Sequence, residues 1–129
     1  MLISRTLPPS GGSGGEGSFT VAFEATTTTL DATPTTCGSV TVPAATTLTL
    51  DTTVTVASAS EGSSWRLFGT FRNGAGVVTQ QGYTFVEGPT NPGMGVMVAY
   101  TVFGTDVRVT VTGHSESISW ASRGAVQSI

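Results

Sequence analysis

His114 is the single histidine among 129 residues, and it stands in the run His114-Ser115-Glu116. An imidazole beside a carboxylate is the minimum kit for general-base chemistry, or for two ligands of a metal ion. The sequence completes neither role. Ser-His-Asp catalysis needs one serine held against the base, and fourteen serines and three aspartates offer nothing to select a partner. No Gly-x-Ser-x-Gly elbow is present. A zinc site needs several Cys or His at fixed spacing, and the chain holds one of each. The acids Glu16, Glu24, Asp31, Asp51, Glu61, Glu87, Asp106 and Glu116 could supply a glycosidase-like pair, but no spacing singles out two of them. The run Gly11 to Gly15 is not a phosphate loop, because no strand leads into it and no Gly-Lys-Ser/Thr follows. The expectation is therefore no catalytic residue, no metal site, no cofactor and a non-enzymatic chain, with His114 a solvated turn residue.

The lone Cys37 cannot close an intrachain disulfide, which excludes the small disulfide-stapled secreted class. It reads as a free, buried or half-buried thiol. Lysine is absent, and the five arginines leave a net charge of −3, so there is no basic footprint for nucleic acid. No apolar run approaches the ~18 residues of a membrane span, so no membrane insertion is expected. The opening residues Met1 to Pro9 lack the apolar region and cleavage site of a secretory signal, which implies synthesis in a cytoplasm without export by that route.

Three arginines and two tryptophans carry the remaining chemistry. Arg66, Arg72 and Arg108 each fall on the polar phase of an alternating segment, Arg66 and Arg72 in phase with each other. Their plainer role is an ion pair with Glu87 or another acid, or simple solvation; their functional role would be an intersubunit contact. Trp65 and Trp120 are expected in the core, the alternative being an exposed platform for a sugar or a partner. The segment 88–95, with two prolines and three glycines, is the longest irregular stretch after the N-terminal linker. Recognition tends to sit on such loops. Tyr83 ahead of it and Pro89, Asn91, Pro92 and Met94 within it are the candidate recognition residues.

The elements that must position these groups are strands. Apolar residues alternate with polar ones at Phe19, Val21 and Phe23; at Leu48, Leu50, Val54 and Val56; at Trp65, Leu67 and Phe71; and at Val107, Val109 and Val111. That period places one face of a strand on a core and one on water. Met97 and Phe103 break the rule by standing opposite Val96, Val98, Tyr100 and Val102, which predicts a strand covered on both sides. Turns fall at Asn73-Gly74-Ala75-Gly76, at 88–93, at Gly104-Thr105-Asp106 and at 113–117. The spacing predicts about eight strands: 19–25, 38–42, 46–57, 65–72, 76–86 with a break near Gly82, 95–103, 106–112 and 117–128. A short helical turn is admitted at 57–63. The fold class that follows is all-β, an antiparallel two-sheet sandwich of jelly-roll or Greek-key kind with an extended N-terminal arm. Residues 1–18 form a tip and a Gly/Ser linker ahead of a sandwich domain at 19–129. Leu2, Ile3 and Leu7 are the apolar residues of the tip, placed to attach to a neighbour. With 24 threonines and few Leu or Ile the core is thin, which favours a homo-oligomer.

From Trp65 onward the pattern resembles a known family. Trp-Arg-Leu-Phe-Gly-Thr-Phe-Arg at 65–72 is followed by a glycine hairpin, then by Tyr-Thr-Val-Phe-Gly-Thr-Asp-Val-Arg-Val-Thr-Val-Thr-Gly at 100–113 and Ile-Ser-Trp at 118–120. Over 65–123, about half of the chain, this is similar to the β-rich C-terminal module of tailed-bacteriophage structural proteins of the fibre, spike or head-decoration type. Where that pattern often continues Trp-Arg-Ala, this chain has Trp120-Ala121-Ser122-Arg123. The resemblance implies a virion protein assembled in the host cytoplasm. It would be homotrimeric and anchored to a capsid or other virion protein through its N-terminal arm. The alternative it implies is a receptor-binding head that takes a host-surface glycan.

Overall fold

The computed structural model describes residues 19–129. They form nine strands: β1 Thr20–Thr29, β2 Thr35–Thr41, β3 Thr46–Ala57, β4 Gly62–Gly74, β5 Val77–Gln80, β6 Phe85–Glu87, β7 Met97–Phe103, β8 Asp106–Thr112 and β9 Ile118–Ser128. A single 3₁₀ turn, Pro92–Met94, interrupts them. The large sheet runs β1-β9-β3-β4-β5, with β6 also paired to β4, and the small sheet runs β2-β8-β7. Every pairing is antiparallel. The chain changes sheet between β1 and β2, β2 and β3, β6 and β7, and β8 and β9. The expected all-β two-sheet architecture is thus what the chain adopts.

Alternation builds the core. Along β3 the buried residues are Leu48, Leu50, Thr52, Val54 and Val56; along β8 they are Val107, Val109 and Val111. These inner faces meet Trp65, Leu67, Phe71, Ile118 and Trp120 in two adjoining clusters, both of which touch Phe23 and Tyr100. Trp65 and Trp120 stack with ring centroids 6.1 Å apart. The Trp120 indole N–H donates to Thr29 Oγ1 at 2.9 Å, which satisfies its one donor inside the core. The Phe23 ring lies over Gly38 and Gly124, where a Cβ would overlap it.

Several expectations are corrected. Residues 57–63 carry a bend instead of a helical turn, with the Ser58 hydroxyl accepting the N–H groups of Ser60 and Glu61. The break expected near Gly82 is present and divides 76–86 into two strands, the chain leaving the sheet between Gln80 and Phe85 through Gly82 at φ 81°. The first two strands extend to Thr29 and begin at Thr35, through a threonine run whose sequence shows no apolar alternation. Phe19, Val21 and Phe23 do not share a face. The register slips between Gly124 and Ala125, so Phe23 lies opposite inward-facing Gly124 while Val21 lies opposite outward-facing Ala125. Finally, β7 is an edge strand that the described residues cover on one side only. Met97 and Phe103 are exposed on its outer face.

Candidate functional site

The outer face of the large sheet is mostly hydroxyl. Thr47, Thr49, Thr53 and Thr55 on β3 face the same way as Ser64 and Thr70 on β4. One region departs from this. Phe68 lies directly opposite Asp51 on β3 and Phe85 on β6, and Arg66 lies directly opposite Glu87. Directly paired residues share a face and sit side by side. The result is a shallow open cleft of about 300 Å³ lined by Arg66, Phe68, Phe85, Val86 and Glu87. Phe85 is 67% exposed, so the outermost ring of this cleft stands in water, whereas Val86 pairs with buried Leu67 and borders the cleft from the other face of the sheet. Phe19 adds a third ring, its centroid 6.4 Å from that of Phe68 and tilted by 47°.

The polar part is fixed by geometry. Arg66 donates from Nε to Asp51 Oδ1 at 3.0 Å and from Nη2 to Asp51 Oδ2 at 2.8 Å. This is a two-point fork that sets the orientation of both groups. The hydrogen bonds to Asp51 raise the Arg66 pKa, against a smaller opposing effect of burial, and the negative charges of Asp51 and Glu87 add to the rise. A guanidinium carries five N–H donors, and Asp51 engages two of them. The cleft thus offers donors and a carboxylate along one edge and phenyl rings along the other.

The three arginines singled out in the sequence do not form one surface. Arg66 is in the cleft. Arg72, on the same face, donates to Thr47 Oγ1 at 2.9 Å. Arg108 is on the small sheet, its guanidinium 3.9 Å over the Phe103 ring. The candidate recognition loop also divides. Tyr83 is 84% exposed. Met94 is buried in the core, which removes its side chain from any recognition surface, and its carbonyl lies 3.1 Å from His114 Nε2. Asn91 ties the loop to the start of β4 by donating from Nδ2 to Glu61 Oε1 and to the Gly62 carbonyl, each at 3.2 Å. The Thr90 N–H donates to the Ser64 carbonyl at 3.1 Å, and Thr90 Oγ1 accepts the Ser64 N–H at 3.0 Å. Pro89 is half-buried and Pro92 exposed on a segment latched at these points. Leu2, Ile3 and Leu7 lie outside the described residues.

His114 is held by its contact with Met94 and by Glu116 Oε2 at 3.6 Å from Nδ1, so it braces a turn instead of being only solvated. Cys37 is buried, and burial pushes its thiol pKa up, which disfavours the thiolate that nucleophilic chemistry would need. Among the described residues no three His, Cys, Asp or Glu side chains group as a metal site would require. Sequence reading missed Phe68, Phe85, Asp51 and Glu87 as one group. Phe68 carried a signal, since it is an apolar residue on the polar phase of β4. Phe85 carried none, because its place depends on the register of a three-residue strand.

No protein-family model matches the sequence, and no curated protein does. Among solved structures, one neighbour is a tailspike protein of Acinetobacter baumannii bacteriophage Fri1, a capsular polysaccharide depolymerase. It is 14% identical, with a TM-score of 0.41, over 81% of this chain and 17% of that one. Another is the tailspike protein of Acinetobacter phage vB_ApiP_P1, 15% identical with a TM-score of 0.36, over 98% of this chain and 26% of that one. Both neighbours are phage tailspikes. This chain spans only about a sixth to a quarter of their length. The depolymerase among them overturns the expectation of a non-enzymatic chain, and that expectation is withdrawn.

Proposed function

We propose that the chain is a β-sandwich module of a bacteriophage particle, with the outer face of its large sheet as a recognition surface. The observation that supports this most is the aromatic cleft. Phe68 and Phe85 stand beside a fixed Arg66–Asp51 fork on a sheet face otherwise made of hydroxyls. Phe19 and Phe85 both adjoin Phe68, and a contiguous apolar patch rimmed by polar groups is the kind of surface that meets a partner or ligand. The resemblance of residues 65–123 to phage structural modules supports the particle assignment. In this reading residues 1–18 act as tip and linker for the body at 19–129, and Leu2, Ile3 and Leu7 dock on a capsid or another virion protein. The β body self-associates as a homotrimer in a capsid-decoration or fibre role. A second reading, a receptor- or glycan-binding head, draws on the same cleft.

The test is native mass and particle binding for the full chain and for a chain beginning at Ser18. Among the described residues the core lies within 20–129, and the shortened chain keeps every one of those core residues. The expected result is a trimer in both, with particle binding only in the full chain. A monomeric body would remove the self-association, and particle binding by the shortened chain would remove the role of the tip.

A further inference from the structure

We infer that the cleft between β4 and β6 is a binding site for a neutral saccharide. The inference rests on the reading of the large sheet's outer face as a recognition surface, and it names the ligand class of that surface. A pyranose ring has an apolar C–H face and a rim of hydroxyls. The cleft has the same two-sided character. Phe68 and Phe85 are cross-strand neighbours and offer phenyl surface, with Phe85 67% exposed. Arg66 and Glu87, the next pair along the same two strands that shares this face, offer N–H donors and a carboxylate acceptor. Charge-assisted hydrogen bonds from such groups to adjacent hydroxyls are stronger than neutral ones.

The Arg66 fork is already oriented by Asp51, whose side chain is only 15% exposed, so little ordering is left for the ligand to impose. The local charge selects within the class. Asp51 and Glu87 carry two negative charges against the single positive charge of Arg66, all three lying on neighbouring strands. An acidic sugar meets net repulsion there, whereas a neutral one meets none. The latched 88–95 loop supplies no comparable pairing of ring and charge, which moves the expected sugar contact from the loop to the sheet.

The experiment is a titration of the isotope-labelled full chain, followed by amide NMR. The probes are neutral hexamers of glucose, galactose and N-acetylglucosamine, with a hexamer of galacturonic acid as the charged contrast. Concentrations reach about 10 mM, since one small platform gives affinities in the millimolar range. The expected result is saturable shifts at Asp51, Arg66 to Phe68 and Phe85 to Glu87 with at least one neutral hexamer. The uronate should bind more weakly. Phe85→Ala should reduce affinity by roughly tenfold or more while the remaining spectrum stays native, consistent with loss of one aromatic contact. Arg66→Gln, which keeps an amide donor but loses the fork, should weaken binding with the fold intact. No shift with any neutral hexamer would overturn the inference. So would shifts centred on Tyr83 and Asn91, or a preference for the uronate. A null titration in a chain that still forms trimers and docks on particles would remove the sugar site and leave the particle role standing.

Discussion

Strands β3 and β4 place aromatic and polar groups together twice, once on each face. On the inner face, Tyr100 reaches across the sandwich from β7. Its hydroxyl lies 2.8 Å from Thr52 Oγ1, 3.0 Å from the Leu67 carbonyl and 3.2 Å from the Leu50 carbonyl. Its ring meets Phe71 edge-on at 5.5 Å. On the outer face, one residue along in each strand, Asp51, Arg66 and Phe68 form the cleft. The inner arrangement is closed by the chain itself: Thr52 and Phe71 are fully buried, and the hydroxyl is surrounded by partners. Among the described residues the outer one is closed only on its Asp51–Arg66 side, and its Phe85 ring faces water. The same period-2 geometry therefore yields a fastening on one side and an open surface on the other, and the difference lies in whether the opposing sheet is present to complete it.

The largest effect is expected inside. Trp120→Ala removes a buried ring, its stacking on Trp65 and the bond to Thr29. A loss of about 3–5 kcal/mol is expected in denaturant unfolding, enough to unfold a marginal domain. A loss below about 1 kcal/mol would mean that the sandwich repacks and that its inner face is less closed than its contacts show.

Tyr100→Phe comes next. It keeps the ring but strips the hydroxyl from two carbonyls and Thr52, at a cost of about 1–3 kcal/mol. Burial holds the phenol's pKa well above its ordinary value, against a smaller lowering by the bond to Thr52. The sign follows from which state keeps the proton. Above the ordinary phenol pKa of about 10 the unfolded chain loses it and the folded chain retains it, so stability falls as pH rises. Below that pH the contribution is complete. Tm should therefore drop on the alkaline side in the parent protein, and Tyr100→Phe should flatten that drop. An unchanged alkaline slope would show that Tyr100 is not the group responsible.

Much of the closed side was legible in the sequence. Leu48, Leu50, Val54 and Val56 kept one phase, as did Trp65, Leu67 and Phe71, and Asn73 to Gly76 marked the β4–β5 hairpin, which turns at Ala75 (φ 60°) and Gly76 (φ 89°). Partner identity was not legible. Alternation says which way a side chain points and says nothing about which strand lies alongside, so the meeting of Phe85 with Phe68 waited on register. A bulge likewise turned Val21 outward against its apparent phase. Met94 was assigned to a surface because loops usually lie there, but this loop turns through a 3₁₀ segment that sends Met94 into the core.

On the open side the stability effects shrink. Arg66→Ala breaks a fork whose arginine is 43% exposed, and solvent screening keeps the expected loss to about 0.2–1 kcal/mol. A loss of several kcal/mol would place that pair among the fastenings and weaken the contrast between the two faces.

Phe85→Ala should have the smallest effect on folding, and it gives the sharpest test of the comparison. The ring is 67% exposed on a three-residue strand, so its removal should change the unfolding free energy by no more than about 0.5 kcal/mol. A Phe removed from the inner face, as in Phe71→Ala, should cost about 3–5 kcal/mol. Side-by-side urea titrations of the two variants measure how far the chain itself has use for each ring. If Phe85→Ala proves as costly as Phe71→Ala, the outer aromatics are part of the structural core, and the cleft has no surplus surface to offer a ligand. If the two differ by several kcal/mol, Phe85 contributes little to folding and its ring is surface that a ligand can meet.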